Sequence, residues 1–262
     1  MRFLSFAVAL IFFATMNSSA QEDGNTLTWI ELRALEPVTS IADAMKDPGA
    51  IISLHLKEQL ISSKDFEAIG KLRNLQMLLL NNNDLTAINP IVFSLKNLRV
   101  LDVSFNSIEE VPEEIGKLRN LESLAIFKNQ IKRLPISLGT ITGFNGTYMG
   151  QNPDLDVAQT IEVLAQLPNL QYLGYGGRMM GTLPDSISKL SSLTNLFLAN
   201  NGLQEFPRSL LEITTLKYLT LSHNQIPAIP EDIERLENLK GLGLAGNPLA
   251  DDDREFPFQL VK

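Results

Sequence analysis

Hydrophobic residues recur along this chain at a fixed interval. Eight apolar positions lie 23 residues apart, with one wider gap of 26 residues in the middle. They are Leu75, Leu98, Leu121, Phe144, Leu170, Leu193, Leu216 and Leu239. A fixed period of this length is typical of a solenoid, in which each unit buries its apolar face against the next. We therefore expect stacked copies of one small unit.

Each unit has two halves with different spacings. In the first half, Leu101 and Val103 are separated by one residue, and this step of two places both side chains on one face of a short strand. In the second half, Ile115 and Leu118 follow Pro112 at a spacing of three, which favours a short helical or 3₁₀ turn. The pattern thus predicts parallel strands on one side and short turns on the other.

An asparagine follows the strand in most units. The seven copies are Asn83, Asn106, Asn129, Asn152, Asn201, Asn224 and Asn247. A buried amide can donate and accept hydrogen bonds, so it can satisfy backbone groups that a turn leaves unpaired. We interpret these asparagines as structural.

This frame resembles the leucine-rich repeat. A degenerate first copy runs from Ile51 to Ile61, with Gln59 at the asparagine position, and the resemblance then covers nine units between residues 51 and 250. It implies an α/β solenoid, a curved horseshoe with a parallel concave sheet and short helical or 3₁₀ turns on the convex side. In this family the concave sheet is the usual binding surface, so the resemblance implies a protein or peptide ligand.

Aromatic residues are frequent at the positions expected on that concave face. The candidate partner-binding residues are Phe105, Phe127, Tyr148, Tyr172, Phe197, Tyr218 and His223. Large apolar side chains that face solvent commonly mark an interaction site. Stacked strands also favour such residues simply for packing between neighbours. The first interpretation predicts a non-enzymatic protein-binding scaffold; an alternative is an adhesion or glycan-binding module, and a glycan partner therefore stays open.

The irregular unit at residues 144–169 interrupts the pattern. Residues 157–167 carry apolar side chains at helical spacing, which predicts a full helix in place of the short turn. The next strand contains Gly174, Gly176 and Gly177, and Arg178 replaces the expected asparagine. Missing side chains there predict a notch beside Tyr148 and Tyr172, which either admits a ligand or lets the sheet change curvature.

The ends of the solenoid need caps, since a terminal repeat would otherwise expose its core. Ser40 followed by Asp43 predicts an N-capped helix within an N-terminal cap at residues 21–50, against which Trp29 and Leu32 are expected to pack. Residues 251–262 are the candidate C-terminal cap.

The first twenty residues have the pattern of a secretory signal peptide. Arg2 precedes an apolar run, and small residues end at Ala20, after which we expect cleavage. The chain has no cysteine, whereas exported eukaryotic proteins of this kind usually carry disulfide-bonded caps. We therefore expect a bacterial protein that is secreted or periplasmic, with no membrane span once the signal is removed.

Charge and motifs argue against several other functions. The net charge of −8 disfavours nucleic acid as a partner. The glycines of residues 241–246 fit a dinucleotide-binding pattern, but Leu242 and Leu244 are strand leucines of the repeat, so the match is accidental. His55 and His223 are the only histidines and lie many repeats apart. We predict no enzyme activity, no catalytic residue, no cofactor and no metal.

Overall fold

The computed structural model describes Leu32 and residues 34–249. The predicted signal peptide at residues 1–20, Trp29 and the predicted C-terminal cap at residues 251–262 lie outside the described residues.

Nine short strands form one parallel sheet, and they follow one another in chain order. The repeat leucines are in register, because Leu78 of the second strand pairs with Leu54 before it and Leu101 after it. The strands are β1 (Ser53–His55), β2 (Met77–Leu79), β3 (Val100–Asp102), β4 (Ser123–Ala125), β5 (Gly146–Tyr148), β6 (Tyr172–Gly174), β7 (Asn195–Phe197), β8 (Tyr218–Thr220) and β9 (Gly241–Gly243). The predicted solenoid with a parallel sheet is confirmed.

Helical segments connect the strands on the opposite side. Six of the described connections are 3₁₀ helices: Pro90–Ser94, Glu113–Lys117, Ile136–Thr140, Asp185–Lys189, Arg208–Glu212 and Glu231–Arg235. The described part of the chain also contains three α-helices: α1 (Ile41–Ala44), α2 (Ser63–Ile69) and α3 (Val157–Leu164). The α-helix expected in the irregular unit is confirmed, whereas α2 was not predicted. Reciprocal hydrogen bonds between Ser62 and Asp65 cap the start of α2.

The core lies between the sheet and these turns. The strand leucines point into it and are fully shielded from solvent, as Leu101, Leu124 and Leu196 show. At the front, the backbone of Val38 pairs with β1, accepting from the amide of His55 and donating to the carbonyl of Ser53. Ser40 caps α1 by accepting a hydrogen bond from the amide of Asp43, as the sequence predicts.

The repeated asparagines link each unit to its neighbour. Asn129 donates through Nδ2 to the carbonyls of Val103 (3.0 Å) and Ile126 (3.1 Å), and its Oδ1 accepts from the amide of Ile108 (3.0 Å). Each of these carbonyls accepts a second hydrogen bond. The carbonyl of Val103 also accepts from Nδ2 of Asn106, and that of Ile126 also accepts from Nδ2 of Asn152. The predicted structural role is therefore confirmed, and the amides form a continuous ladder through adjacent repeats.

Arg178 interrupts this ladder. Its guanidinium reaches back into the irregular unit, where Nε donates to the carbonyl of Pro153 (3.1 Å) and Nη1 donates to the carbonyl of Leu155. Nη1 also donates to the hydroxyl of Tyr175 at 2.7 Å. The long side chain of Arg178 thus bonds to the backbone of the irregular unit, in the place where most other repeats use an asparagine.

Candidate functional site

The parallel register lines up side chains of successive strands in columns on the concave face. The rings of Phe127 and Tyr148 are stacked, with centroids 4.7 Å apart and planes 10° apart. Phe105 meets Phe127 edge-on, with a centroid distance of 5.4 Å. Lys128 Nζ lies 5.3 Å from the centroid of the Phe105 ring, within range of a cation–π contact. An aromatic row therefore crosses three repeats.

This row is part of a second apolar cluster, separate from the core behind the sheet. We call it the concave cluster; its buried members are Leu32, Met77, Val100, Ala125, Phe127, Tyr148 and Tyr172. The expectation that Leu32 packs against the first helix was wrong, because Leu32 lies in the concave cluster and is only 1% exposed. Leu35 also packs against this cluster, whereas Ile41 of α1 packs against the main core.

The seven candidate binding residues differ in exposure. Phe127, Tyr148 and Tyr172 are buried, Phe105 and Phe197 are half-buried, and Tyr218 and His223 are exposed. Burial raises the pKa of the Tyr148 phenol to about 12, so that group stays neutral. The structure brings most of the predicted aromatics together in or against the concave cluster, while Tyr218 and His223 stand on the solvent-exposed part of the same sheet.

The glycines of β6 do not leave an open notch beside Tyr148. A Cβ added to Gly174 would lie 2.0 Å from Cδ2 of Tyr148, so the tyrosine ring already fills the space that the missing side chain leaves. A Cβ on Gly176 would lie 2.6 Å from the carbonyl oxygen of Ala199. These two glycines are required by close contacts across the strands.

Charged groups also lie on this face. Arg99 Nε donates to Glu122 Oε1 at 2.7 Å, and Nη2 of the same arginine reaches the second carboxylate oxygen at 3.2 Å. Asp102 is buried on β3 and accepts a hydrogen bond from the amide of Ser104 at 2.8 Å. Burial raises the pKa of Asp102, opposed by this hydrogen bonding. Towards the end of the sheet, Lys217 is exposed next to Tyr218.

One backbone feature recurs at the end of the strands and was not apparent in the sequence. The residue before each ladder position has a positive φ, including Phe105 (56°), Lys128 (54°) and His223 (56°). The corresponding residue after β6 is Gly177, with φ of 82°. This left-handed conformation sets the direction in which the side chains of Phe105 and His223 extend from the chain. It costs conformational energy in these residues, whereas glycine adopts it without strain.

The helices from Leu32 to residue 249 include none long and apolar enough to cross a membrane. The same part of the chain holds no group of three histidine or acidic side chains arranged to bind a metal ion. His55 lies beside Ser53, with its Nε2 3.0 Å from the serine hydroxyl, and burial lowers the pKa of the imidazole.

Comparison with known proteins agrees with this architecture. The family model described as "Leucine rich repeat" matches residues 73–131 and 191–249. No curated protein matches the chain significantly. Among solved structures, the ectodomain of the Arabidopsis receptor kinase HAESA, in complex with the peptide hormone IDA and a co-receptor, is 29% identical with a TM-score of 0.59. The match covers 76% of this chain and 35% of that one.

Two further structures extend the comparison. The ectodomain of the Arabidopsis thaliana receptor kinase GASSHO1/SCHENGEN3, in complex with CASPARIAN STRIP INTEGRITY FACTOR 2, is 30% identical with a TM-score of 0.55; the match covers 78% of this chain but 26% of that one. Internalin C2 of Listeria monocytogenes is 23% identical with a TM-score of 0.56, covering 79% and 84% of the two chains, and shows the fold alone. The chain thus spans only about a quarter to a third of these plant ectodomains. The fold is that of a leucine-rich-repeat solenoid.

Proposed function

We propose that this protein is a non-enzymatic scaffold that binds a protein or peptide on its concave face. The observation that carries the proposal is the row of aromatic side chains on that face, together with the exposed Tyr218 further along the same sheet. Tyr218 is 42% exposed and stands beside Gly241 of β9, which has no side chain to pack against it. An aromatic ring held out from a rigid strand offers contact area at low entropic cost.

The open part of the face suggests where a partner makes contact. Phe197 is half-buried, Tyr218 and His223 are exposed, and Lys217 adds a positive charge beside them. We call Phe197, Lys217, Tyr218 and His223 the open concave surface. Its combination of aromatic rings and a cation suits a peptide segment with apolar and acidic side chains. The plant ectodomains with bound ligands support this class of partner by similarity of fold and sequence.

The proposal is tested by capture with the full chain and two matched variants. Tyr218→Ser removes the exposed ring of the open concave surface, and Leu60→Ser removes a leucine that is 88% exposed beyond the end of β1. Both variants lose a large exposed apolar group. We expect Tyr218→Ser to weaken a bound protein's affinity about tenfold or more, as loss of an aromatic hot spot does, and Leu60→Ser to leave it unchanged.

Bound material is identified by mass spectrometry, and the same three proteins are applied to a glycan array. A protein ligand retained by Leu60→Ser and lost by Tyr218→Ser supports the proposal. Binding of glycans alone, with the same dependence on Tyr218, would replace it with the adhesion alternative. Equal capture by all three proteins would remove the open concave surface from the site.

We further propose that the chain is exported and that its signal peptide is cleaved after Ala20. We also propose that it is a bacterial protein, either secreted or periplasmic. The support is the charged, apolar and small-residue order of residues 1–20 and the lack of cysteine in the whole chain. N-terminal sequencing of the protein recovered from its host should begin at Gln21. An intact Met1 on that protein would reject the cleavage.

A further inference from the structure

A groove lies among the helical connections, away from the sheet. Its volume is about 770 Å³, and it runs between the 3₁₀ helices Pro90–Ser94 and Glu113–Lys117. None of the residues that line it belongs to a strand. Ile88 and Phe93 are buried members of its lining, and the half-buried Pro112 adds to them, so part of the groove is apolar. A cleft of this size is in the range of ligand-binding sites.

A row of positive charges runs along this side of the solenoid. Arg73, Lys96 and Arg119 stand two residues before the repeat leucines of three successive units, and all three are exposed. Asn97 donates to the carbonyl of Arg73 at 2.8 Å and so holds the first two positions in register. The same position carries no charge in the next four units: Thr142, Pro168, Ser191 and Thr214. This cationic row is therefore confined to the N-terminal repeats of a chain with a net charge of −8.

The cationic row and the groove form one surface. Arg73 and Lys96 line the groove itself, and Arg119 lines the adjoining depression together with Lys96. The ammonium of Lys96 is held between two repeats, since Nζ donates to the carbonyls of Phe93 (3.1 Å) and Lys117 (3.4 Å). An ammonium has three N–H donors, so one remains for a ligand. A carboxylate suits it best, because hydrogen bonds between two ionised groups are the stronger ones.

Two carboxylates in the groove restrict the kind of anion that fits. Glu110 and Glu114 belong to the lining, and Glu114 Oε1 lies 3.8 Å from Lys117 Nζ. A continuous anionic surface, such as a bilayer of acidic lipids, would be repelled by these two groups. A peptide can instead place its carboxylates on the cationic row and its backbone N–H groups beside the glutamates. Within the part of the chain that the structure describes, neither Arg73 nor Arg119 forms an ion pair, so both can accept such a partner.

We propose that the groove and the cationic row are a second interaction surface, which binds an acidic peptide segment of a partner protein. The partner's carboxylates contact Arg73, Lys96 and Arg119, and one of its apolar side chains enters the groove between the two 3₁₀ helices. The inference goes beyond the proposed function and does not rest on it, because this surface shares no residue with the open concave surface. A ligand can therefore occupy each surface at the same time.

A peptide array probed with the full chain tests this surface. The probes are short peptides that combine several Asp or Glu residues with one Leu, Ile or Phe at every position. Two matched arrays replace all the acidic residues by Asn or Gln, or the apolar residue by Ser. We expect the acidic peptides with an apolar residue to bind at least about tenfold more strongly than either control set. Binding should also weaken as salt is added, because exposed charges are screened.

Variants then locate the bound peptide by fluorescence anisotropy. Arg73→Ser with Arg119→Ser should weaken the affinity of the best peptide at least about tenfold, whereas Arg73→Lys with Arg119→Lys should retain it. The matched control is Lys64→Ser with Lys132→Ser, which also removes two exposed cations, neither of them in the groove or the row, and should leave the affinity unchanged. Circular dichroism confirms that each variant is folded.

Three results would overturn the proposal. The first is an array without preference for acidic over amide-containing peptides. The second is a peptide that Arg73→Ser with Arg119→Ser still binds and that Tyr218→Ser loses, which would place it on the open concave surface and leave the proposed function intact. The third is binding to phosphatidylglycerol vesicles that depends on Arg73 and Arg119 while no peptide binds, which would assign the surface to a membrane.

Discussion

Replacing Asn129 with alanine tests how much the asparagine ladder contributes to stability. The substitution removes four hydrogen bonds, and their loss is unequal. The longest, from Nδ2 to the carbonyl of Phe127 at 3.4 Å, adds little, because that carbonyl also accepts from the amide of Phe105. The amide of Ile108 loses its Oδ1 acceptor, which costs about 1–3 kcal/mol for a buried group. The carbonyls of Val103 and Ile126 keep their bonds to neighbouring asparagines, so each lost bond costs only about 0.5–1.5 kcal/mol. We expect a total loss of about 2–6 kcal/mol in the free energy of unfolding.

Urea unfolding followed by circular dichroism measures this loss. Asn97→Ala is the matched control, because Asn97 makes a single hydrogen bond, from Nδ2 to the carbonyl of Arg73 at 2.8 Å, near solvent. Its expected cost is about 0.5–1.5 kcal/mol. The reasoning is refuted if Asn129→Ala loses no more stability than Asn97→Ala, or if the variant melts as the parent protein does.

Three further predictions concern the sheet. Gly174→Ala should cost about 1–3 kcal/mol, because its Cβ collides with the Tyr148 ring; thermal melting beside Gly143→Ala, whose Cβ meets no atom within 4 Å, isolates this effect. Leu124→Asp should unfold the solenoid, since a buried unpaired carboxylate costs several kcal/mol, and an unchanged cooperative melt would contradict the repeat register. Asp102→Asn should be more stable than the parent at neutral pH, because the raised pKa of Asp102 means that the folded state resists ionisation. The destabilisation of the parent sets in as pH rises above the unfolded pKa, is complete above the folded pKa, and disappears again as pH falls below the unfolded pKa. Urea unfolding across that pH range should show the two proteins converging in acid, and a constant difference would exclude Asp102 as the cause.

Much of the fold could be predicted because the repeat period encodes it. The spacing of Leu101 and Val103 located a strand, and the asparagine that follows located a turn, so one correct register fixed nine copies. The replacement of asparagine by Arg178 was equally visible. A second row of asparagines was not predicted, although each stands directly before a repeat leucine. Asn97 and Asn120, for example, each donate a hydrogen bond to a carbonyl of the preceding unit.

The candidate site was less predictable, because its state depends on contacts outside the period. Alternation placed Tyr148 and Tyr172 on the concave face but could not show that they are buried there. They share a buried cluster with Leu32, which belongs to no repeat and whose position no spacing rule determines. The left-handed turn at Phe105 and His223 was also not predictable, because no glycine occupies that position in those units.

Arg178 has a consequence for how the solenoid comes apart. Among the described residues, the carbonyls of Met149 and Tyr175 each accept a hydrogen bond from one ladder asparagine instead of two. The donor to Met149 is Asn152, and the donor to Tyr175 is Asn201. The amide ladder therefore ends after β5 and begins again at β6. We expect the repeats on either side of this break to unfold as two separate cooperative blocks, with heat or mechanical tension parting the solenoid there first. The exposed Tyr218 then belongs to a block whose folding is only loosely tied to that of the aromatic row.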